Sequence, residues 1–260
     1  MQCDSATSAP TCAMAVMAKA STPGRTKTRL TPPLTPEQAA EINTAFLRDV
    51  ADNLAAAATL ANVAPFMAYA PAGSRDFFTR ILPDGIGLIE TAAPDFGVCL
   101  FQAATRLLAA GHESVCLLNS DSPTLPTGYL VAAATALAAP GDRVVLGPAT
   151  DGGYYLIGLK QPHRRLFEDV DWSTERVFGQ TLARAEELAL PVVVLPSWYD
   201  VDCEASLRIL VGEVLGGRPF RVAGNRPATP HFTRRYLANL LETTDLGAGL
   251  GRTSRASLVA

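Results

Sequence analysis

Charge is scarce in this 260-residue chain: Asp, Glu, Lys and Arg together make up 18% of it, and the formal net charge is −3 at pH 7. With no global positive field there is no broad surface for a phosphate backbone, so a nucleic-acid partner is not expected and any cationic site must be local. Cysteine is also sparse. Cys3, Cys12, Cys99, Cys116 and Cys203 are scattered, odd in number and form no CxxC, a spacing that suits neither a disulfide framework nor a structural zinc site. Reduced thiols and a cytoplasmic setting are the expectation, with Cys116 as core. The start Met1-Gln2-Cys3-Asp4 lacks the basic residues of a signal peptide, and the apolar stretch Cys12–Ala18 is short. A membrane span needs ~20 apolar residues. The most apolar region, Leu54–Ala70, is broken by Asn62 and Pro65, so neither secretion nor membrane insertion is expected.

Several motifs are missing as well. No GxGxxG follows the first apolar run, no GxxxxGK[ST] occurs, and there is no GxSxG elbow; dinucleotide binding, a P-loop and acyl-transfer hydrolysis are disfavoured accordingly. His112, His163 and His231 are far apart, with no HxxxH. No internal repeat is evident.

What is present is apolar: hydrophobic residues are 48% of the chain, too many for a disordered one. Met1–Thr11 is small, polar and patternless and reads as a disordered leader. Short strand-like runs come next, at Cys12–Met17, Val63–Tyr69, Ile86–Ile89, Val115–Leu118, Arg143–Leu146, Tyr154–Leu159 and Pro191–Leu195. Helical stretches lie between most of them: Pro36–Leu60, Phe96–Ala110, Thr127–Ala138, Thr174–Ala189 and Glu204–Leu215. Alternation of this kind predicts an α/β fold with a mixed, mostly parallel sheet and helices on both faces. The short turn between Arg143–Leu146 and Tyr154–Leu159 predicts a hairpin-like insertion. One domain is expected over residues 12–215, and after it an extension over 216–260 with one helix near His231–Leu241 and a frayed end from Gly247.

In open parallel sheets ligands bind at the carboxyl ends of the strands, so the residues leaving each apolar run carry the information. After the first run come Lys19, Gly24, Arg25, Lys27 and Arg29, four cations and a Pro-Gly turn in one loop of an acidic protein. In an extended segment Lys27 and Arg29 share a face. A polyphosphate clamp and a solvated basic loop both fit; position after the first strand favours the clamp. Val115–Leu118 runs into Asn119-Ser120-Asp121-Ser122-Pro123, which puts Asp121 at the sheet rim, as a ligand for a hard cation or as a turn residue. Gly147–Gly153 carries Asp151 beside Gly152 and Gly153, which admit a ligand close to the backbone or make an ordinary turn. Asp171 precedes a helix start. Asp202, and more weakly Asp200, stand before the last core helix as a second metal ligand or as a cap. One cationic loop and three acidic strand ends at one sheet edge suit the handling of a nucleotide polyphosphate with a divalent metal.

The series AKASTPGRTKTRL, LLNSDSPTLP, GPATDGGYYLIGL, DVDWST and WYDVDCEASL resembles a bacterial family often labelled glycosyltransferase-like, within the nucleotide-diphospho-sugar transferase (GT-A) superfamily. Relatives of that family include 2-phospho-L-lactate guanylyltransferase and molybdenum-cofactor guanylyltransferase. The resemblance runs from about Ala13 to Val214 and implies a Rossmann-like sheet binding a nucleotide across its first half. It implies phosphate contacts by Lys19, Gly24, Arg25, Lys27 and Arg29, metal binding by Asp121 and Asp202, and an acceptor side at Asp151, Gly152 and Gly153. Where many glycosyltransferases carry DxD, this chain has Ser120-Asp121-Ser122.

Three functions are compatible with these residues. The leading expectation is an Mg²⁺- or Mn²⁺-dependent nucleotidyltransferase: a small phosphorylated or acidic acceptor attacks the α-phosphorus of a nucleoside triphosphate and pyrophosphate leaves. Arg25, Lys27 and Arg29 would then neutralise the leaving group, with Asp121 and Asp202 holding the metal. The second is sugar transfer from a nucleotide-sugar on the same fold, with Asp151 or Asp171 deprotonating an acceptor hydroxyl. The third is a non-catalytic nucleotide-binding protein.

Overall fold

The strand β1, Cys12–Lys19, is apolar from Cys12 to Ala18 because both of its faces are covered, and ends in the charged, exposed Lys19. Its side chains alternate. Cys12, Met14, Val16 and Ala18 enter one core layer, and Ala13 and Ala15 the other, as the two-residue period of a strand requires. The computed structural model describes residues 11–91, 93, 95–220 and 226–244. The expected leader (apart from Thr11) and the frayed end from Gly247 lie outside the described residues.

The first long helix, α1 (Pro36–Leu60), begins where its chemistry says it should. Thr35 accepts from the Gln38 N–H, the Gln38 side chain accepts from the Thr35 N–H in return, and Pro36 occupies the first turn. It leads to β2 (Val63–Ala70), then α2 (Arg75–Ile81) and β3 (Gly87–Glu90). Next come α3 (Phe96–Ala109), capped by the Asp95 carboxylate on the Val98 N–H at 2.9 Å, β4 (Ser114–Leu118) and α4 (Thr127–Ala138). The hairpin β5 (Val144–Pro148) and β6 (Tyr154–Leu159) precedes α5 (Val177–Glu187), β7 (Val192–Val194), α6 (Glu204–Val214) and α7 (His231–Thr243).

These strands form one seven-stranded sheet in the order β3-β2-β1-β4-β6-β5-β7. All neighbouring pairs are parallel except β4–β6 and β5–β6. The sheet is therefore mixed and mostly parallel, and the antiparallel hairpin is inserted in it as the short turn predicted. Helices α1, α4, α6 and α7 cover one face, through Ile42, Phe46, Tyr129, Leu210 and Leu237. Helices α3 and α5 cover the other, through Leu100, Leu107 and Ala185. Helix α7 is seated by α1: both Asp49 carboxylate oxygens accept N–H groups at its start, from Phe232 at 2.9 Å and Thr233 at 2.7 Å. Its Leu237 and Leu240 belong to the same core layer as β1. Short α2 has no counterpart among the elements expected from the sequence, and β5 and β7 are displaced by one residue or more from the predicted runs. Among the described residues no helix is long and apolar enough to cross a membrane.

Because β6 alone runs antiparallel to β4 and β5, the carboxyl ends of the other six strands share one edge. The loops carrying Lys19–Arg29, Asn119–Asp121, Asp151 and Asp200–Asp202 all leave from it. Strand order reverses at β1 and β4, and this is where an open sheet leaves a crevice.

Candidate functional site

A cleft of about 830 Å³ opens at that crevice. The residues lining it include the cations Lys19, Arg25, Lys27 and Arg29, the acids Asp121 and Asp202, and Phe96 and Ser173. A volume of this size holds a small-molecule ligand or cofactor.

The loop after β1 is built rather than slack. Asn43 of α1 donates to the Lys19 carbonyl at 3.3 Å and to Ser21 Oγ at 2.9 Å. Thr26 Oγ1 donates to the Thr22 carbonyl at 3.0 Å and accepts the Thr22 N–H at 3.1 Å. Gly24 supplies a left-handed turn with φ 71°, and fully buried Leu30 anchors the far end. The segment is not extended as the alternation of Lys27 and Arg29 suggested. Lys27 is itself left-handed, with φ 52°, and Thr28–Leu30 is a single 3₁₀ turn. Both side chains nonetheless reach one acid. Lys27 Nζ lies 2.7 Å from Asp202 Oδ1, 2.7 Å from Asp121 Oδ1 and 2.7 Å from the Val201 carbonyl, and Arg29 Nη2 pairs with Asp202 Oδ2. Lys19 and Arg25 are exposed and make no ion pair among the described residues.

The two acidic loops meet because their backbones are tied. The Val201 N–H donates to the Asp121 carbonyl at 2.8 Å, and Ser122 Oγ donates to the Tyr199 carbonyl at 3.0 Å. The Thr150 N–H donates to the Trp198 carbonyl at 3.0 Å, which draws the Asp151 turn alongside. Trp198, Tyr199 and Val201 are buried, so the polar ends of this loop are held by a packed apolar middle.

Electrostatics divide these acids. Burial alone would lower the Lys27 ammonium, but Asp121 and Asp202 outweigh it and hold the pKa above that of an ordinary lysine. Burial would likewise raise Asp202, yet Lys27 and Arg29 hold it below the usual carboxylate range. Asp200 is pushed up to about 7, first by burial and then by the negative charges of Asp151, Asp202 and Asp121.

Asp151 Oδ1 accepts the Gly153 N–H at 2.8 Å in a local turn. The close approach that Gly152 permits is to protein: a Cβ there would lie 2.3 Å from the Glu175 carbonyl oxygen, and its φ is 93°. Asp171 binds Gln180 Nε2 at 2.7 Å and Arg176 at 3.1 Å beside the start of α5. Gly24, Asp151, Gly152, Gly153 and Asp171 are not among the residues lining the cleft, whereas Lys19, Arg25, Lys27, Arg29, Asp121 and Asp202 are. Sequence reasoning does not find Asn43, Phe96 and Thr91, which also line it. Phe96 stands against Trp172 with ring centroids 5.3 Å apart. It directly succeeds the Asp95 cap after β3, so attention to the residues just beyond each strand could have found it. Asn43 offers no such signal, because only the packing of α1 brings it to the loop.

Among the described residues no three acidic, His or Cys side chains are gathered as a ready-made metal cage. The pair Asp121 and Asp202 still suits Mg²⁺ or Mn²⁺. Their oxygens are hard donors converging on one point, and Mg²⁺ is usually held by one or two carboxylates together with substrate phosphates and water.

Residues 53–174 match the model of a family described as an uncharacterized protein conserved in bacteria, DUF2064. No curated protein matches the chain. Among solved structures, the chain is similar to a candidate nucleotide-diphospho-sugar transferase from Desulfovibrio desulfuricans G20, at 25% identity and TM-score 0.74, covering 88% of this chain and 94% of that one. It is also similar to 4-diphosphocytidyl-2C-methyl-D-erythritol synthase from Anaerococcus prevotii DSM 20548, at 9% identity and TM-score 0.53, covering 80% and 100%. A cytidylyltransferase from Leptospira borgpetersenii serovar Hardjo-bovis matches at 11% identity and TM-score 0.51, over 94% and 97%. The chain thus has the α/β fold of these three structures.

Proposed function

We propose that this protein transfers a nucleotidyl group from a nucleoside triphosphate to a small phosphorylated or otherwise acidic acceptor, releasing pyrophosphate. The observation that carries the reading is the meeting of Asp121 and Asp202 with the cationic loop inside one cleft at the strand-order reversal. Lys19 and Arg25, exposed and without an ion pair among the described residues, are available to bind phosphate oxygens. Arg29 spans from Asp202 to the cleft surface, with its side chain 65% exposed, so it can turn its remaining donors toward the same oxygens. The acceptor oxygen forms a bond to the α-phosphorus as the bond to the bridging oxygen breaks, and these cations meet the charge that collects on the departing pyrophosphate. An acceptor that is already ionised needs no general base. Mg²⁺ or Mn²⁺ held by Asp121 and Asp202 would supply Lewis-acid neutralisation of the phosphate oxygens.

Sugar transfer from a nucleotide-sugar is the second reading, supported by the likeness to the Desulfovibrio protein. Calorimetry with nucleoside triphosphates, nucleoside monophosphates and nucleotide-sugars, on wild type and Arg25→Ala, separates the two. A charge-assisted contact is worth ~1.5–3 kcal/mol, or roughly ten- to a hundredfold in affinity. Arg25→Ala is expected to weaken triphosphate binding by that factor and leave the monophosphate nearly unchanged. Equal losses on both would refute a polyphosphate clamp, and binding confined to nucleotide-sugars would favour the second reading.

A further inference from the structure

An ammonium group has three N–H donors, and Lys27 has committed all three. Asp121 Oδ1, Asp202 Oδ1 and the Val201 carbonyl each lie 2.7 Å from its Nζ. The side chain is 5% exposed, and the Phe46 ring lies 5.5 Å from the ammonium. In this arrangement Lys27 has no donor left for a phosphate. It stands instead at the point where the two carboxylates converge, and with Arg29 it balances both of their charges.

We infer that Lys27 is a resident cation that shares one seat with the divalent metal: it neutralises Asp121 and Asp202 while the cleft is empty, and it must leave them for the metal to bind. The inference rests on the reading of these two aspartates as the metal-holding pair. The two carboxylates converge on the ammonium, so a divalent ion held by this pair would take up the position the ammonium occupies, and two cations beside one pair of carboxylates repel strongly. Displaced Lys27 regains three donors, and the phosphates of an arriving nucleotide are the strongest acceptors for them in a cleft of this composition. Metal and nucleotide therefore favour each other's binding, and by linkage the coupling runs equally in both directions. Metal alone binds weakly because it must first break three contacts.

The test uses Mn²⁺ alone, without nucleotide, titrated into the full chain by calorimetry or by the loss of the free-ion electron paramagnetic resonance signal. Lys27→Met and Lys27→Gln remove the ammonium, and circular dichroism checks that each is folded; two variants guard against one failing to fold. Lys19→Met removes a cation from the same cleft that touches neither carboxylate. Both Lys27 variants are expected to bind Mn²⁺ at least about tenfold more tightly than wild type, and Lys19→Met within about threefold of it. Unchanged or weaker binding in the Lys27 variants would overturn the shared seat while leaving the metal pair standing. An equal gain in Lys19→Met would also overturn it, because the effect would then be a general field. No Mn²⁺ binding by any of the proteins would overturn the metal-holding pair and the shared seat together.

Discussion

Two aspartates of the same site are expected to change stability in opposite directions when each is made neutral in chelator-treated protein. Asp121→Asn removes a carboxylate 2.7 Å from the buried Lys27 ammonium. The ammonium keeps Asp202 and the Val201 carbonyl, so the loss is one charge-assisted bond, about 2 kcal/mol. In a chain of this length each kcal/mol moves the melting temperature by roughly 2–4 °C, a fall of about 4–8 °C. Asp200→Asn removes a charge that the fold resists. Burial and its acidic neighbours push the Asp200 carboxyl up to about 7, against about 3.9 in the unfolded chain. The folded state therefore binds the proton more tightly. The stability this group contributes is fully present below about pH 4, is lost as pH rises toward 7, and stays lost above. A displacement of that size corresponds to at most about 4 kcal/mol, and water reaching a partly buried group reduces it to about 1–3 kcal/mol. At pH 8 Asp200→Asn should melt roughly 2–12 °C above wild type, with the gain shrinking toward nothing near pH 4. Thermal denaturation with chelator at pH 8 and pH 5 measures both. If the two variants melt below wild type by similar amounts, or if the Asp200→Asn gain is as large at pH 5 as at pH 8, the assignment of attractive and repulsive environments is wrong.

Gly152→Ala should be costly, since its φ is 93° and a Cβ would lie 2.3 Å from the Glu175 carbonyl oxygen; a loss of about 1–3 kcal/mol in urea unfolding is expected, and wild-type stability would show that the turn yields freely. Asp49→Ala leaves the Phe232 and Thr233 N–H groups at the start of α7 without acceptors; a loss of about 2–3 kcal/mol with faster proteolysis around residue 230 is expected, and unchanged stability would mean that α7 is held by its apolar contacts alone.

How well each feature can be read from the sequence depends on how local its cause is. Helix α1 is legible to the residue because Thr35, Pro36 and Gln38 form a complete start signal within four positions. The β5–β6 hairpin is legible because a short connection can join only antiparallel neighbours. Helix α2 is not, because its seven residues carry no cap bond and bury little beyond Phe78. The cationic loop is visible as composition, but its shape is not. Alternation on an extended strand would pair Lys27 with Arg29 toward a phosphate, whereas a left-handed residue leading into a 3₁₀ turn aims both at Asp202.

The sequence by itself determined the class of fold, the sheet edge at which the candidate site lies, and the residue types gathered there. Those depend on apolar periodicity and on the residues immediately beyond each strand, both short-range properties of the chain. Tertiary structure alone decided that Lys27 would face Asp121 and Asp202, both far away in the sequence, and not a solvent-facing phosphate site. The cause is a set of backbone bonds between loops distant in sequence, Val201 to Asp121 and Thr150 to Trp198, set over the buried Trp198, Tyr199 and Val201. No local pattern encodes which loops will be stitched together, because that is a consequence of strand order, and strand order depends on how all the helices share two faces of one sheet.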